Sequence, residues 1–263
     1  MLKLLKYEWK ACARICLPLY AVELLVAFIN RLLYSDIGSK LLYGIPSIVM
    51  TMLYAAIMVA LFVVTAVVLV QRFYKNLLGS EGYLMFTLPV SRSQLIWSKL
   101  LVALVWSVLS TVLAALAWMA EISVVGRENV FSLIAQGLRS LRQHLSGNLT
   151  GCAAALVVLC LVSCLVSFLK FYAAISLGHS FSNHKVLLSV VFYIGFGIVT
   201  QTIGSIFASV GIQININPDL WTNLPVVQVF SSLAWAAAGV SALLGAAYYV
   251  LTLLMLKKRL NLQ

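Results

Sequence analysis

Six long apolar stretches recur along the chain, at approximately 15–33, 46–70, 98–122, 150–177, 186–210 and 232–256, with polar intervals between them. Spanning a hydrocarbon layer about 30 Å thick takes about 20 mostly apolar helical residues, and each stretch meets or approaches that length. Backbone N–H and C=O groups in lipid must be satisfied internally, so the expected form of each is an α-helix. The opening MLKLLKYEWKACAR follows another pattern. Lys3, Lys6, Lys10 and Arg14 recur every three or four residues, opposite Leu2, Leu5, Trp9 and Cys12. That alternation predicts an amphipathic helix over 1–14 lying in the headgroup plane. Glu23 interrupts the next apolar run and no A-x-A-like site appears, so a cleaved signal peptide is not expected.

Two of the intervals carry patterns of their own. In FSLIAQGLRSLRQHL (131–145), Phe131, Ile134, Leu138, Leu141 and Leu145 form one apolar stripe. It predicts a second amphipathic helix, on the outer leaflet. In the cation-free stretch 211–232, Asn217 followed by Pro218 is a helix start: an Asn cap, then a proline whose missing N–H costs nothing there. A short outer re-entrant helix before the sixth span is the expectation. The expected fold class is therefore all-α, a polytopic membrane protein with a single transmembrane domain over 1–263.

Composition strengthens this picture. The chain is 63% hydrophobic and 10% charged, whereas about a quarter of the residues of a soluble domain are charged. The net charge of +11 comes from 18 Lys and Arg against seven Asp and Glu. In a soluble chain that excess would suggest nucleic acid, but these cations flank apolar spans and no nucleic-acid-binding module is visible. They read as topogenic and lipid-facing. With both termini inside, twelve cations are cytoplasmic (Lys3, Lys6, Lys10, Arg14, Arg72, Lys75, Arg92, Lys99, Lys185, Lys257, Lys258, Arg259). Five are outside (Arg31, Lys40, Arg127, Arg139, Arg142), and Lys170 lies within a span. The imbalance predicts that both termini are cytoplasmic.

Few residues offer chemistry. The phosphate-cradling pattern G-x-x-x-x-G-K-[ST] is absent. LSGNL at 145–149 lacks the ending of the ATPase segment LSGGQ, and it falls on the outer side. Asn148-Leu149-Thr150 is a formal glycosylation acceptor, better read as a polar helix start. There is no H-E-x-x-H and no G-x-S-G serine, so neither a zinc protease nor a rhomboid-type protease is expected. His179 and His184 flank the turn GHSFSNHK; they read as interfacial histidines, with pH sensing as the alternative. Cys12, Cys16, Cys152, Cys160 and Cys164 lie in or beside apolar runs and read as packing residues, not metal ligands.

Intramembrane polar groups stand out because a charge at the bilayer centre costs at least about 2.5 kcal/mol. Glu23 lies near the middle of the first span, and Asn30 shares its face. The pair either lines a substrate path or hydrogen-bonds a neighbouring helix. Gln201 in the fifth span is a weaker candidate of the same kind, while Lys170 is close enough to the cytoplasmic end to snorkel. Ala234, Ala238, Ala242 and Ala246 in the sixth span, with Ser241 and Gly245 beside them, predict a close helix approach. Gly195, Gly197 and Gly204 do the same in the fifth.

The cytoplasmic stretch EGYLMFTLPVSR (81–92) is too apolar for an ordinary loop and too broken for a span. Pro89 stops the preceding helical run. Ser91 is placed to cap the third helix, with Gln94 completing a capping box. Phe86 and Leu88 can fill a partner's pocket while Glu81 and Arg92 offer charge at its rim. The plainer alternative is an interfacial helix resting on lipid.

The run from Arg72 to Trp106, RFYKNLLGSEGYLMFTLPVSRSQLIWSKLLVALVW, resembles the second-to-third-span segment of type-2 ABC transporter permeases. The resemblance rests on Glu81-Gly82-Tyr83, on Thr87-Leu88-Pro89 and on Lys99, and is strong over about 35 residues. It looks most like the small permeases of bacterial exporters of peptide toxins and antimicrobial peptides, such as those for phenol-soluble modulins. What the resemblance implies is a coupling helix at about 79–92, spanning Glu81, Gly82, Tyr83, Phe86, Thr87, Leu88, Pro89, Ser91 and Arg92, seated in a separate ATPase subunit. It further implies two ATPase copies binding ATP and Mg, a second permease subunit, identical or related, and an amphipathic or lipophilic cargo such as a peptide. The chain itself would not be an enzyme. Alternatives are export of a small drug or lipid, immunity to an antimicrobial peptide, a membrane scaffold or sensor, or an integral-membrane enzyme.

Overall fold

The computed structural model describes residues 2–33, 47–77, 90–125, 132, 134–137, 139–140, 149–181, 184–216 and 226–258. Six long helices follow in order: α1 (Leu2–Leu33), α2 (Ser47–Leu77), α3 (Arg92–Val125), α4 (Leu149–Gly178), α5 (Lys185–Ile216) and α6 (Val226–Lys258). All six are long and apolar enough to cross a membrane, as the six apolar stretches predict. At 1.5 Å per residue each extends for about 45–50 Å, the hydrocarbon core together with both headgroup layers. The helices therefore outrun their apolar stretches into polar flanks; α3, for example, starts at Arg92.

One boundary differs from expectation. The amphipathic segment 1–14 is not a separate element, because α1 runs unbroken from Leu2 to Leu33. No helix-stopping residue lies between Arg14 and Leu17, and Pro18 removes only the one N–H that would reach back to the carbonyl of Arg14. Within 131–145 the described residues 132, 134–137 and 139–140 are helical, and Ile134 is exposed. Phe131, Leu138, Leu141 and Leu145 lie outside the described residues, as does the expected helix start at Asn217 and Pro218.

The chain divides into two compact units. The first comprises Met1–Gln71 and Leu101–Ser140. In it, the buried residues of α1 are Glu8, Cys12, Cys16, Tyr20, Glu23, Ala27 and Asn30. Steps of three or four keep them on one face of a helix with 3.6 residues per turn. On α2 the corresponding residues are Tyr54, Leu61, Thr65 and Leu69, and on α3 they are Ala103, Trp106, Ser110, Ala114 and Ala117. Ala27, Tyr54 and Ala117 form one core cluster, with Val26 and Met58 packed on it. Cys12 and Cys16 are buried, as packing residues should be.

The second unit comprises Arg72–Leu100 and Leu141–Gln263. Here α4 is the central helix, packed mainly on α6 and also on α5. Close approach is set by glycines. A Cβ at Gly245 would lie 2.9 Å from Val166 Cγ2, and one at Gly178 would collide with the backbone and hydroxyl of Ser189. The small-residue face of α6 differs from the one expected: Ala234, Ala238 and Gly245 are buried, but Ala242 and Ala246 are exposed. A strict step of four drifts about 40° around the helix each time, so by residue 246 the stripe has left the contact face. Burial instead continues through Tyr248, Thr252 and Leu256. On α5, Gly195, Gly197 and Gly204 face open space within the chain, and Ser189 is the one buried residue among those described. Cys160 on α4 is exposed, so it does not pack in the core as expected.

Candidate functional site

Two places concentrate side chains that lipid-facing helices do not need. One lies in the second unit, where α2 ends and α3 begins. Phe73 and Leu77 at the end of α2 are fully buried. The Phe73 ring stacks on Tyr172 of α4, with centroids 3.8 Å apart and planes 6° from parallel. Tyr74 meets the His179 ring edge-on at 5.1 Å. On the α3 side, Ser91 and Gln94 form the predicted capping box. The Ser91 N–H donates to Gln94 Oε1 at 3.3 Å, and the Gln94 N–H donates to Ser91 Oγ at 3.3 Å. The Leu95 N–H closes the first turn onto the Ser91 carbonyl at 3.2 Å. One residue into α3, Ser93 Oγ lies 2.7 Å from Tyr249 Oη on α6, and the Trp97 ring sits 5.8 Å from that tyrosine's ring. Leu95, Ile96, Ser98 and Lys99 are buried behind them.

Both stems of the 78–89 segment are thus fastened to α4 or α6. Of the residues expected to form the coupling surface, Ser91 caps α3 and Arg92 is its first residue. Glu81, Gly82, Tyr83, Phe86, Thr87, Leu88 and Pro89 lie outside the described residues. The aromatic partners Tyr172 and Tyr249 could not be found by sequence reasoning: each pairs with a residue far away in the chain, and nothing local marks either.

His179 closes the same region. It is buried, and its Nδ1 lies 3.1 Å from the carbonyl oxygen of Ile175 one turn back. Burial pushes its pKa below the ordinary histidine value and the Lys185 charge adds to this, while the Ile175 carbonyl opposes it. His184, in contrast, is exposed and adopts a φ of 55°, a left-handed conformation, just before α5. Lys170 has its Nζ 4.9 Å from the centre of the Tyr193 ring on α5.

The other place is the polar stripe of the first unit. Tyr20 Oη lies 2.6 Å from Ser110 Oγ, and both hydroxyls reach the Trp106 carbonyl, at 3.2 and 2.9 Å. The Trp106 ring packs between Trp9 (4.8 Å, stacked) and Tyr20 (5.7 Å, tilted). One turn beyond Tyr20, Glu23 is 1% exposed, and neither carboxylate oxygen has a hydrogen-bond partner. The Trp106 indole N–H is likewise buried without one. Asn30 is buried on the same stripe. Lys6, Lys10, Arg14, Arg31 and Arg139 of this unit are exposed. Gln201, expected as a companion of Glu23, lies in the other unit on an exposed face of α5.

No protein-family model, curated protein or solved structure matches this chain.

Proposed function

We propose that this chain is the membrane-spanning permease subunit of an ATP-driven exporter of the type-2 ABC class. A separate ATPase subunit, in two copies, would bind ATP and Mg and dock on residues 79–92. A second permease subunit would complete the path for an amphipathic or lipophilic cargo, a peptide in the first instance. The termini would face the cytoplasm of a bacterium. A coupling element has to pass force to the helices it moves, which requires stems fastened to other helices. The observation that carries the proposal is the fastening of Phe73, Tyr74, Ser93 and Trp97 to Tyr172, His179 and Tyr249. The segment between these stems is half apolar, as a surface gripped by another chain should be. For ATP to drive the change, it must bind one arrangement of the helices more tightly than the other.

The test is co-purification with a co-expressed candidate ABC ATPase subunit, followed by measurement of ATP hydrolysis in the assembled complex. Leu88→Asp should abolish assembly, and Glu81→Ala should weaken it. If both variants assemble and hydrolyse ATP as the unaltered chain does, residues 79–92 are not the docking site.

A further inference from the structure

A carboxylate buried in an apolar bundle must be neutralised by a buried cation, satisfied by donors, or protonated. Glu23 has neither of the first two. Both oxygens lack hydrogen-bond partners, and Lys6, Lys10, Arg14, Arg31 and Arg139 of the unit are exposed. Among the described residues, the other buried titratable groups on the packed faces of α1 and α2 are Glu8, Cys12, Cys16 and Tyr20 of α1 and Tyr54 of α2. From α3 come Trp106, Ser110 and Ala114, which carry no charge.

We propose that Glu23 is a cation-exchange site: it holds a proton while α1, α2 and α3 are packed, and releases it when a lipophilic monovalent ammonium enters. The exchange balances as carboxylic acid plus alkylammonium giving a carboxylate–ammonium ion pair and one proton in solution. No bond other than O–H breaks.

The surroundings select this class of ligand. A divalent metal wants six or more oxygen ligands for calcium, or a near-ideal octahedron for magnesium. Among the described residues no three His, Cys, Asp or Glu side chains gather to supply a metal site. An ammonium needs only one carboxylate and tolerates aromatic faces. Tyr20 provides such a face one turn before Glu23, with the Trp106 ring 5.7 Å from it, and Asn30 is buried on the same stripe. Beyond Glu23 the stripe turns apolar at Ala27, which packs with Tyr54 and Ala117. The inference stands on the three helices alone and does not depend on whether an ATPase docks.

The test uses the full chain purified in detergent and treated with dicyclohexylcarbodiimide, an apolar reagent that adds to protonated carboxyls, with the modified residue located by mass spectrometry. Glu23 should be modified at neutral pH. Dodecylammonium should suppress the modification at least fivefold, whereas dodecanol at the same concentration should not. Adding dodecylammonium to weakly buffered protein should release protons, and Glu23→Gln should abolish that release while eluting as the unaltered protein does. Should Glu23→Gln fail to elute so, the labelling of the unaltered chain decides. The proposal is overturned if Glu23 stays unmodified while other carboxyls of the chain react. It is equally overturned if dodecylammonium gives no protection, or if dodecanol protects as well.

Discussion

The two units handle buried polar groups differently. In the second, hydroxyls at the helix crossings end on partners: Thr200 Oγ1 lies 2.9 Å from Tyr248 Oη, and Ser93 Oγ lies 2.7 Å from Tyr249 Oη. Thr252 donates to the Tyr248 carbonyl at 2.7 Å. Ser176 Oγ, Tyr172 Oη and Arg72 Nε are buried there without a hydrogen bond, although Tyr172 and Arg72 make other interactions. In the first unit, a group able to carry a full charge is left without a partner at the centre of a helix. Completed networks hold helices in one arrangement, whereas an incomplete one costs stability and is retained where it binds something. The first unit therefore carries the larger unmet polar cost at a single residue, Glu23.

The comparison can be broken at several points. The largest loss should follow Phe73→Ala, which removes a fully buried ring from its stack on Tyr172; large-to-small core changes of this kind cost about 3–5 kcal/mol. Thermal unfolding in detergent, followed by fluorescence, should show the drop. Next comes Gly178→Ala, whose new methyl would collide with Ser189. Overpacking costs about 1–3 kcal/mol, and here the backbone of Ser189 has to move to relieve it. In the first unit the sign should reverse. Glu23→Leu should raise the melting temperature, because it removes a buried group whose unmet polarity costs about 1–3 kcal/mol. A lower melting temperature would mean that the carboxyl is already satisfied.

Smaller effects sharpen the contrast. Ser91→Ala removes the cap of α3 and should cost about 1 kcal/mol, read from the same melting curves. His179 predicts a pH dependence with a definite sign. Its folded-state pKa lies below the ordinary value, so the unfolded chain takes up the proton more readily. The second unit should lose stability as pH falls below about 6.5, and be indifferent to this group above it. His179→Gln should flatten that dependence; an unchanged slope would assign it to another group.

Much of this was legible in the sequence, because it depends on local chemistry. Six apolar runs predict six helices, and the Ser91–Gln94 pair predicts the cap of α3. Seven-residue spacing puts Glu23 and Asn30 on one face, and both are buried. What escaped depends on geometry that accumulates or on distant partners. The Ala234–Ala246 stripe fails because four residues exceed one helical turn. The boundary at residue 14 fails because a change in polarity is not a change in backbone conformation. The pairings of Phe73 with Tyr172 and of Ser93 with Tyr249 join residues that no local pattern relates.

The central claim is that the segment between these fastened stems is gripped by another protein. A photoreactive amino acid at Leu88, irradiated in native membranes, tests this most directly. The account predicts one dominant cross-linked protein, an ABC ATPase, that is lost when Phe73→Ala is added and the stem is loosened. Cross-links to lipid alone, or to a protein with no nucleotide-binding motif, would contradict it.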